Sequence, residues 1–210
     1  GTGTPTIKLV DGAIYSADGK TLISLLPINR DCCYVIPDGT ETIAYCAFYM
    51  VRYAEEIIFP ASITNIQDFG DKSYLCYCLS GAALYVYPDS YAQTYFSDSA
   101  FSALTIRVIG DSEVTSLQTV VDNIIREVIQ DDMTDTEKAL ALHNWICENG
   151  SYDRTLKNDK AGSILRGGAG VCDAYVRAYA VLLDAVGIES RREPCGMNGV
   201  GHAINSVKLD

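Results

Sequence analysis

The stretch Arg166-Gly-Gly-Ala-Gly-Val-Cys-Asp-Ala-Tyr175 places a cysteine, Cys172, at the start of a predicted helix. Apolar residues then recur at helical spacing from Val176 to Leu183, and Gly187 ends the pattern. A thiol at a helix N-terminus lies beside unpaired backbone N–H groups and the positive end of the helix dipole, and both favour the thiolate. The stretch therefore predicts a reactive cysteine held on a helix.

His202, one of two histidines in the sequence, follows further along within Gly201-His-Ala-Ile-Asn-Ser-Val207. A neutral imidazole near a cysteine can accept the thiol proton and stabilise the resulting ion pair. The two residues together predict nucleophilic attack by sulfur on an acyl carbon. The alternatives are a buried cysteine at Cys172 that only packs and an ordinary strand histidine at His202.

Two further helices are predicted before this pair. Apolar residues at i, i+3, i+4 and i+7 indicate a helix over residues 117–129. Thr134 and Glu137 have the spacing of a capping box, which opens a second helix that ends at Gly150. Residues 188–194 and 203–209 have the pattern of strands that follow the cysteine helix.

Three other residues are predicted to have structural roles. His143 falls on the apolar side of the second helix, which indicates a core or interface residue. Cys147 and Cys195 are predicted to be packing residues, although Cys195 precedes the histidine segment and could approach the same cleft.

The first half of the sequence contains a repeat. Ile36-Pro-Asp-Gly-Thr-Glu-Thr-Ile43 aligns with Phe59-Pro-Ala-Ser-Ile-Thr-Asn-Ile66, and a degenerate third copy begins at Val86. The alignment sets Pro37 over Pro60 and Ile43 over Ile66. A short repeat unit with strand-then-turn character predicts a solenoid, in which each unit buries its apolar side by stacking on its neighbour.

The repeat phrases, with Ala47-Phe48 and the opening Gly12-Ala-Ile-Tyr-Ser-Ala-Asp-Gly-Lys-Thr-Leu22, resemble the BspA-type leucine-rich repeats of bacterial surface proteins. The resemblance covers roughly residues 10 to 109. It implies a β-hairpin that starts a short repeat array, a secreted or cell-surface location, and a protein ligand for the array. The pattern is lost over residues 68–80.

The sequence from Asn144 onward resembles the transglutaminase-like superfamily. The matching pieces are Trp145-Ile146, Tyr152-Asp153, Gly168-x-Gly170-Val-Cys172 and Gly201-His202-Ala203-x-Asn205. The resemblance implies a cysteine-protease-like α+β fold in which the cysteine helix packs on an antiparallel sheet that includes the histidine. It assigns Cys172 as nucleophile and His202 as base. Ile204 replaces the tryptophan that is usual in the family.

Two more groups complete this chemistry. The backbone N–H of Cys172 can help to bind an oxyanion, and Tyr152 is a candidate second donor. Asp210 cannot orient His202, because eight extended residues span about 26 Å. The family places its Asp on the returning strand, at about position 218. Without that acid we expect this sequence to be weakly active or inactive.

Composition excludes several other classes. The formal net charge of −11 argues against nucleic acid and anionic membranes as partners. The apolar runs are far shorter than the ~20 residues needed for membrane insertion. The eight cysteines lack the paired spacing of a zinc site, so neither metal nor cofactor is predicted. The start at Gly1 leaves a removed export signal open.

We therefore expect an α+β protein with two domains. Residues 1–110 form a leucine-rich-repeat module, and residues 111–210 form a transglutaminase-like domain that is incomplete at its C-terminus. The predicted reaction is acyl transfer on a protein or peptide through a Cys172 thioester, with hydrolysis and transamidation both open. The alternative is a non-catalytic surface protein that binds or adheres through its repeats.

Overall fold

A computed structural model describes residues 7–10, 12–26, 32–51, 54–110, 115–197 and 199–209. The chain has a mixed α+β fold and divides into two compact units, Gly1–Val114 and Thr115–Asp210. Residues 111–114, at the expected domain boundary, lie outside the described residues. None of the helices in the described ranges combines the length and the apolar character that crossing a bilayer requires.

The first unit alternates between short strands and turns. Its described elements are β1 (Ile7–Val10), β2 (Ala13–Ser16), β3 (Thr21–Leu25), β4 (Cys33–Val35), β5 (Thr42–Ile43), β6 (Glu56–Ile58), β7 (Asn65–Ile66), α1 (Lys72–Leu79), β8 (Ala83–Val86), α2 (Tyr91–Phe96), a 3-10 turn (Ser99–Phe101) and β9 (Thr105–Val108). The strands form two sheets, β1-β2-β3-β5-β7 and β4-β6-β8-β9.

Most of the pairing in this unit is parallel and recurs at similar sequence intervals. Strands β1 to β3 are antiparallel, and β5 and β7 then add in parallel, with Ile43 opposite Ile66. In the other sheet, the successive partners along one row are Cys33, Glu56, Ala83 and Thr105. The two sequence phrases that align with each other thus occupy equivalent strand positions.

The interior of the first unit is filled by one apolar cluster. Phe59 is fully buried, and its ring lies 5.8 Å from that of Phe48 and 5.2 Å from that of Phe96. Edge-on aromatic pairs of this kind stabilise a core beyond the area that they bury. Helix α1 lies in the region where the repeat pattern of the sequence is lost. The Asp71 side chain caps this helix by accepting from the Ser73 N–H.

The second unit contains, in the described residues, α3 (Leu117–Val128), α4 (Asp135–Asn149), β10 (Ser151–Tyr152), α5 (Ala161–Leu165), β11 (Ala169–Gly170), α6 (Cys172–Ala185), β12 (Ser190–Met197) and β13 (Val200–Val207). The predicted capping box is confirmed, because Thr134 and Glu137 each bond the other's backbone N–H. The predicted start of the cysteine helix at Cys172 is also confirmed.

Helix α6 forms the centre of this unit. Its buried side chains include Ala174, Ala178 and Leu182, and it packs against α4 and the antiparallel hairpin β12–β13. Asn205 on β13 donates from Nδ2 to the carbonyl oxygen of Val176, at 3.0 Å. The hairpin that contains His202 is therefore hydrogen-bonded directly to the helix that begins with Cys172.

Candidate active site

The glycine-rich approach to Cys172 is held by a short parallel pair of strands. Ser151 on β10 lies opposite Ala169 on β11, and Tyr152 lies opposite Gly170. Gly170 is required by space, because a Cβ at this position would lie 2.5 Å from the Cβ of Ala174 and 3.1 Å from Ile164 Cδ1. The backbone before the cysteine can pass this close to α6 only as glycine.

Asp153 organises the loop that follows Tyr152. Its Oδ1 accepts from the N–H and hydroxyl of Thr155 at 2.8 and 2.7 Å, and its Oδ2 accepts from the N–H groups of Lys157 and Asn158 at 3.0 Å. These hydrogen bonds, the one from the Thr155 hydroxyl foremost, lower the pKa of Asp153 to about 2. The carboxylate thus fixes the loop as a charged acceptor.

Asn158 connects this loop to the residues before the cysteine. Its backbone carbonyl oxygen accepts from the N–H of Val171 at 2.8 Å, and its Nδ2 donates to the carbonyl oxygen of Ala169 at 2.7 Å. The backbone that leads into Cys172 is therefore anchored on both sides of Gly170. These hydrogen bonds to the backbone set the position of the Cys172 thiol. No flexible side chain of α6 takes part in them.

Cys172 is the first residue of α6, and no side chain caps this helix. The Cys172 N–H has no hydrogen-bond acceptor among the described residues. Unpaired N–H groups at a helix start can hold an anion or a developing oxyanion. The thiol and a backbone donor are thus present in one residue, which is half-buried.

A cavity of 420 Å³ lies between α4, α6 and β13, and its walls include Cys172, His202 and Tyr152. Helix α6 contributes Cys172 with the side chains one turn further along, and β13 contributes residues 202–205. The structure therefore brings all three residues predicted for the site to one cavity.

The thiol and the imidazole share this cavity without a hydrogen bond between them in the described structure. His202 lies opposite Cys195 in the β12–β13 ladder. His202 is half-buried, and its buried neighbour Ala203 lines the same cavity. Catalytic hydrogen bonds are often long or poorly aligned before substrate binds.

A partly buried charge network surrounds the residue that follows Cys172. Asp173 accepts from Arg177 Nε at 2.9 Å and from Arg192 Nε on β12. The side chain of Asp173 is only 18% exposed. An unpaired carboxylate next to Cys172 would disfavour a thiolate, and the two guanidinium groups compensate its charge.

The structure corrects the core position expected for His143 and the packing role expected for Cys147, while the interface alternative for His143 stays a prediction. Neither is a core residue, because both are exposed and line the cavity. The Cys147 sulfur lies 3.8 Å from His143 Nε2, and the His143 ring meets Tyr179 edge-on at 5.9 Å. The buried stripe of α4 consists of Ala139, Leu142 and Ile146, which leaves this second pair at its edge. Their i, i+4 spacing is the signal that could have found the pair.

Cys195 is half-buried directly across from His202 and is not part of the described cavity lining, so its approach to the cleft stays a prediction. No group of three or more His, Cys, Asp and Glu side chains in the described ranges could hold a metal ion. Asp210, which the sequence excluded as the partner of His202, lies outside the described residues.

The second unit thus combines a cysteine at a glycine-led helix start, a histidine on an adjoining antiparallel hairpin and a cavity that both residues line. Comparison with family models matches residues 122–209 to the Transglutaminase-like superfamily. The second unit therefore contains a transglutaminase-like domain. Searches of curated proteins and of solved structures gave no match, and the comparisons give no support to the expected BspA-type repeats.

Proposed function

We propose that the transglutaminase-like domain transfers acyl groups of proteins or peptides through a thioester at Cys172. The Cys172 sulfur attacks the carbonyl carbon while its proton passes to His202. The protonated imidazole then donates that proton to the departing amine, and the carbonyl group remains on sulfur as a thioester. Water or a second amine attacks the thioester, His202 accepts the proton of this nucleophile, and the thiol is restored.

The observation that supports this proposal is the single cavity that Cys172 and His202 both line. The two other groups of the mechanism lie there as well. The Cys172 N–H is at the helix start without an acceptor in the described structure, and Tyr152, half of whose surface is exposed, stands in the cavity wall. These two donors are proposed to stabilise the oxyanion of the tetrahedral intermediate.

An acyl-trapping experiment tests the proposal. The protein is mixed with an activated ester such as p-nitrophenyl benzoate, and acylated residues are identified by peptide mass mapping. We expect one benzoyl group on Cys172, removable by hydroxylamine and absent in Cys172→Ala. Cys46→Ala removes an exposed thiol of the first unit and is the matched control. Equal acylation of wild type and Cys172→Ala would contradict the proposed nucleophile.

We further propose that the first unit is a short leucine-rich-repeat module that binds a protein partner. The regular succession of parallel partners along β4-β6-β8-β9 supports a repeating structure. Exposed aromatic side chains at Tyr49, Phe69 and Tyr77 offer a contact surface. An experimental structure in which these strands pair antiparallel would contradict the repeat assignment.

A secreted or cell-surface location belongs to the same proposal, and its support is the resemblance of the first unit to bacterial surface proteins. Fractionation of the source cells tests it, since the protein is expected in the surface or medium fraction.

A non-catalytic binding protein is the second candidate function, favoured by the exposed aromatic residues of the first unit. It predicts no Cys172 acylation in the trapping experiment.

A further inference from the structure

We propose that the cavity beside Cys172 binds an uncharged, apolar or aromatic side chain of the substrate, adjacent to the acyl group that the sulfur attacks. This inference rests on the proposed function, because it gives the substrate preference of the same site. The occupant is a peptide segment in which one side chain enters the cavity while the carbonyl group of the next residue lies at Cys172.

The walls of the cavity are predominantly aromatic and aliphatic. Tyr175, Val176 and Tyr179 line it from α6, and Tyr179 follows the other two by four and three residues, the spacings that place side chains on one helix face. Ile146 closes the α4 side and Ile204 the β13 side. The polar side chains of the described lining are those of histidine, cysteine, asparagine and tyrosine, and no Asp, Glu, Lys or Arg of the described lining offers a fixed opposite charge to a charged side chain.

The lining tyrosines contribute aromatic rings to the wall, and one of their hydroxyl groups is bonded to a neighbouring helix. The Tyr179 hydroxyl donates to the carbonyl oxygen of Ala139 at 2.8 Å, so its hydrogen is already bonded to α4. The ring of Tyr175 lies nearly parallel to that of Tyr152, with centroids 6.5 Å apart. Burial raises the pKa of both Tyr175 and Tyr179, so both remain neutral phenols.

The volume fits one large side chain with its adjoining peptide atoms. At 420 Å³ the cavity lies near the lower end of the range of about 300–1,000 Å³ that is typical of small-molecule sites. Removing a large apolar side chain from water is among the main sources of binding energy, and aromatic faces add preferred stacking geometry. A charged side chain in the same place loses hydration without compensation.

Irreversible peptidyl ketone probes test the preference directly. Acetyl-X-glycyl acyloxymethyl ketones, with X as Phe, Leu, Ala, Glu or Lys, are reacted with the full chain, and the rate of Cys172 labelling is measured by mass mapping. Iodoacetamide, which has no side chain to place, measures the reactivity of the thiol itself. We expect the Phe and Leu probes to label Cys172 about 10- to 100-fold faster than the Glu and Lys probes.

A second test of the side-chain preference introduces a charge into the cavity wall. Ile204→Lys places a cation on an exposed position of the cavity wall, two residues after His202. Val200→Lys is the matched control, since Val200 is an exposed aliphatic residue two positions before His202 and is not part of the described wall. We expect only Ile204→Lys to lower Phe labelling and raise Glu labelling.

The outcomes separate the two proposals. Fast iodoacetamide reaction with equal labelling by all five probes would overturn the side-chain preference and leave the nucleophile in place. Slow iodoacetamide reaction at Cys172 with no peptidyl labelling would overturn both. Identical probe profiles of Ile204→Lys and Val200→Lys would show that the cavity wall is not the origin of the preference.

Discussion

Arg192 on β12 donates from Nε to Oδ1 of Asp173, the residue that directly follows Cys172. The second oxygen of the same carboxylate accepts from Arg177 Nε at 2.9 Å. The hairpin that contains His202 and the helix that begins with Cys172 are thus joined one residue away from the thiol. Together with the bond from Asn205 to Val176, this contact links the hairpin to the cysteine helix.

Removing the Arg192 side chain is expected to weaken the effect of His202 on Cys172 without unfolding the domain. Arg192 is half exposed, so its ion pair is worth at most about 1 kcal/mol of stability. In Arg192→Ala we expect the iodoacetamide rate at Cys172 to fall several-fold, and Arg192→Lys should restore part of it. Arg191→Ala removes a neighbouring, more exposed arginine paired to Glu189 and is the control. Equal rates in the two alanine variants would contradict a positioning role.

Gly170→Ala is expected to destabilise the second unit by about 1–3 kcal/mol, because overpacking forces neighbouring atoms apart. The added methyl group would lie 2.5 Å from the Cβ of Ala174. Gly196→Ala is the matched control, since a Cβ there meets nothing within 4 Å. Urea unfolding followed by circular dichroism measures both. A Gly170→Ala protein as stable as Gly196→Ala would show that the close approach before Cys172 is not required.

Acid should loosen the loop after Tyr152 only at low pH. The pKa of Asp153 is lowered to about 2 from an ordinary value of 3.8, mainly by the hydrogen bonds from Thr155. The stabilising effect of the ionised carboxylate is therefore fully present above pH 3.8 and is lost as the pH falls through about 2. We expect the stability difference between wild type and Asp153→Asn to be constant above about pH 4 and to shrink below it.

Stability measured against pH for both proteins checks this expectation. Asp159→Asn, in the same loop and exposed, removes one carboxylate without touching the Thr155 and Asn158 contacts. A difference between wild type and Asp153→Asn that already declines between pH 7 and pH 5 would contradict the assignment. So would an Asp159→Asn profile identical to that of Asp153→Asn.

Local features of the second unit were predictable from sequence because their causes are local. The capping box needs only Thr134 and Glu137, and the start of α6 follows from the glycines and the apolar spacing around Cys172. The hairpin was predictable as two strands, but its pairing extends β12 to Met197, because the partner strand begins already at Val200. Strand ends depend on the partner more than on the strand's own residues.

The cavity was predictable only in part. The glycine run and the histidine segment indicated Cys172 and His202, whereas the positions of His143 and Cys147 depend on how α4 rests on α6. The bond from the Tyr179 hydroxyl to Ala139 sets that contact, and no pattern within α4 specifies it. In the described structure the Cys172 sulfur and the His202 imidazole form no hydrogen bond. This too could not be predicted, because it depends on how side chains of two separate elements are placed.

The most direct test of the central claim is the rate of iodoacetamide alkylation at each cysteine at pH 7, in wild type, His202→Ala and His143→Ala. An ordinary thiol is only a few per cent ionised at this pH. We predict that Cys172 reacts about tenfold faster than the exposed Cys46, that His202→Ala removes most of this advantage and that His143→Ala does not. A Cys172 rate equal to that of Cys46 in all three proteins, or a fast reaction at Cys147 that only His143→Ala removes, would contradict the account.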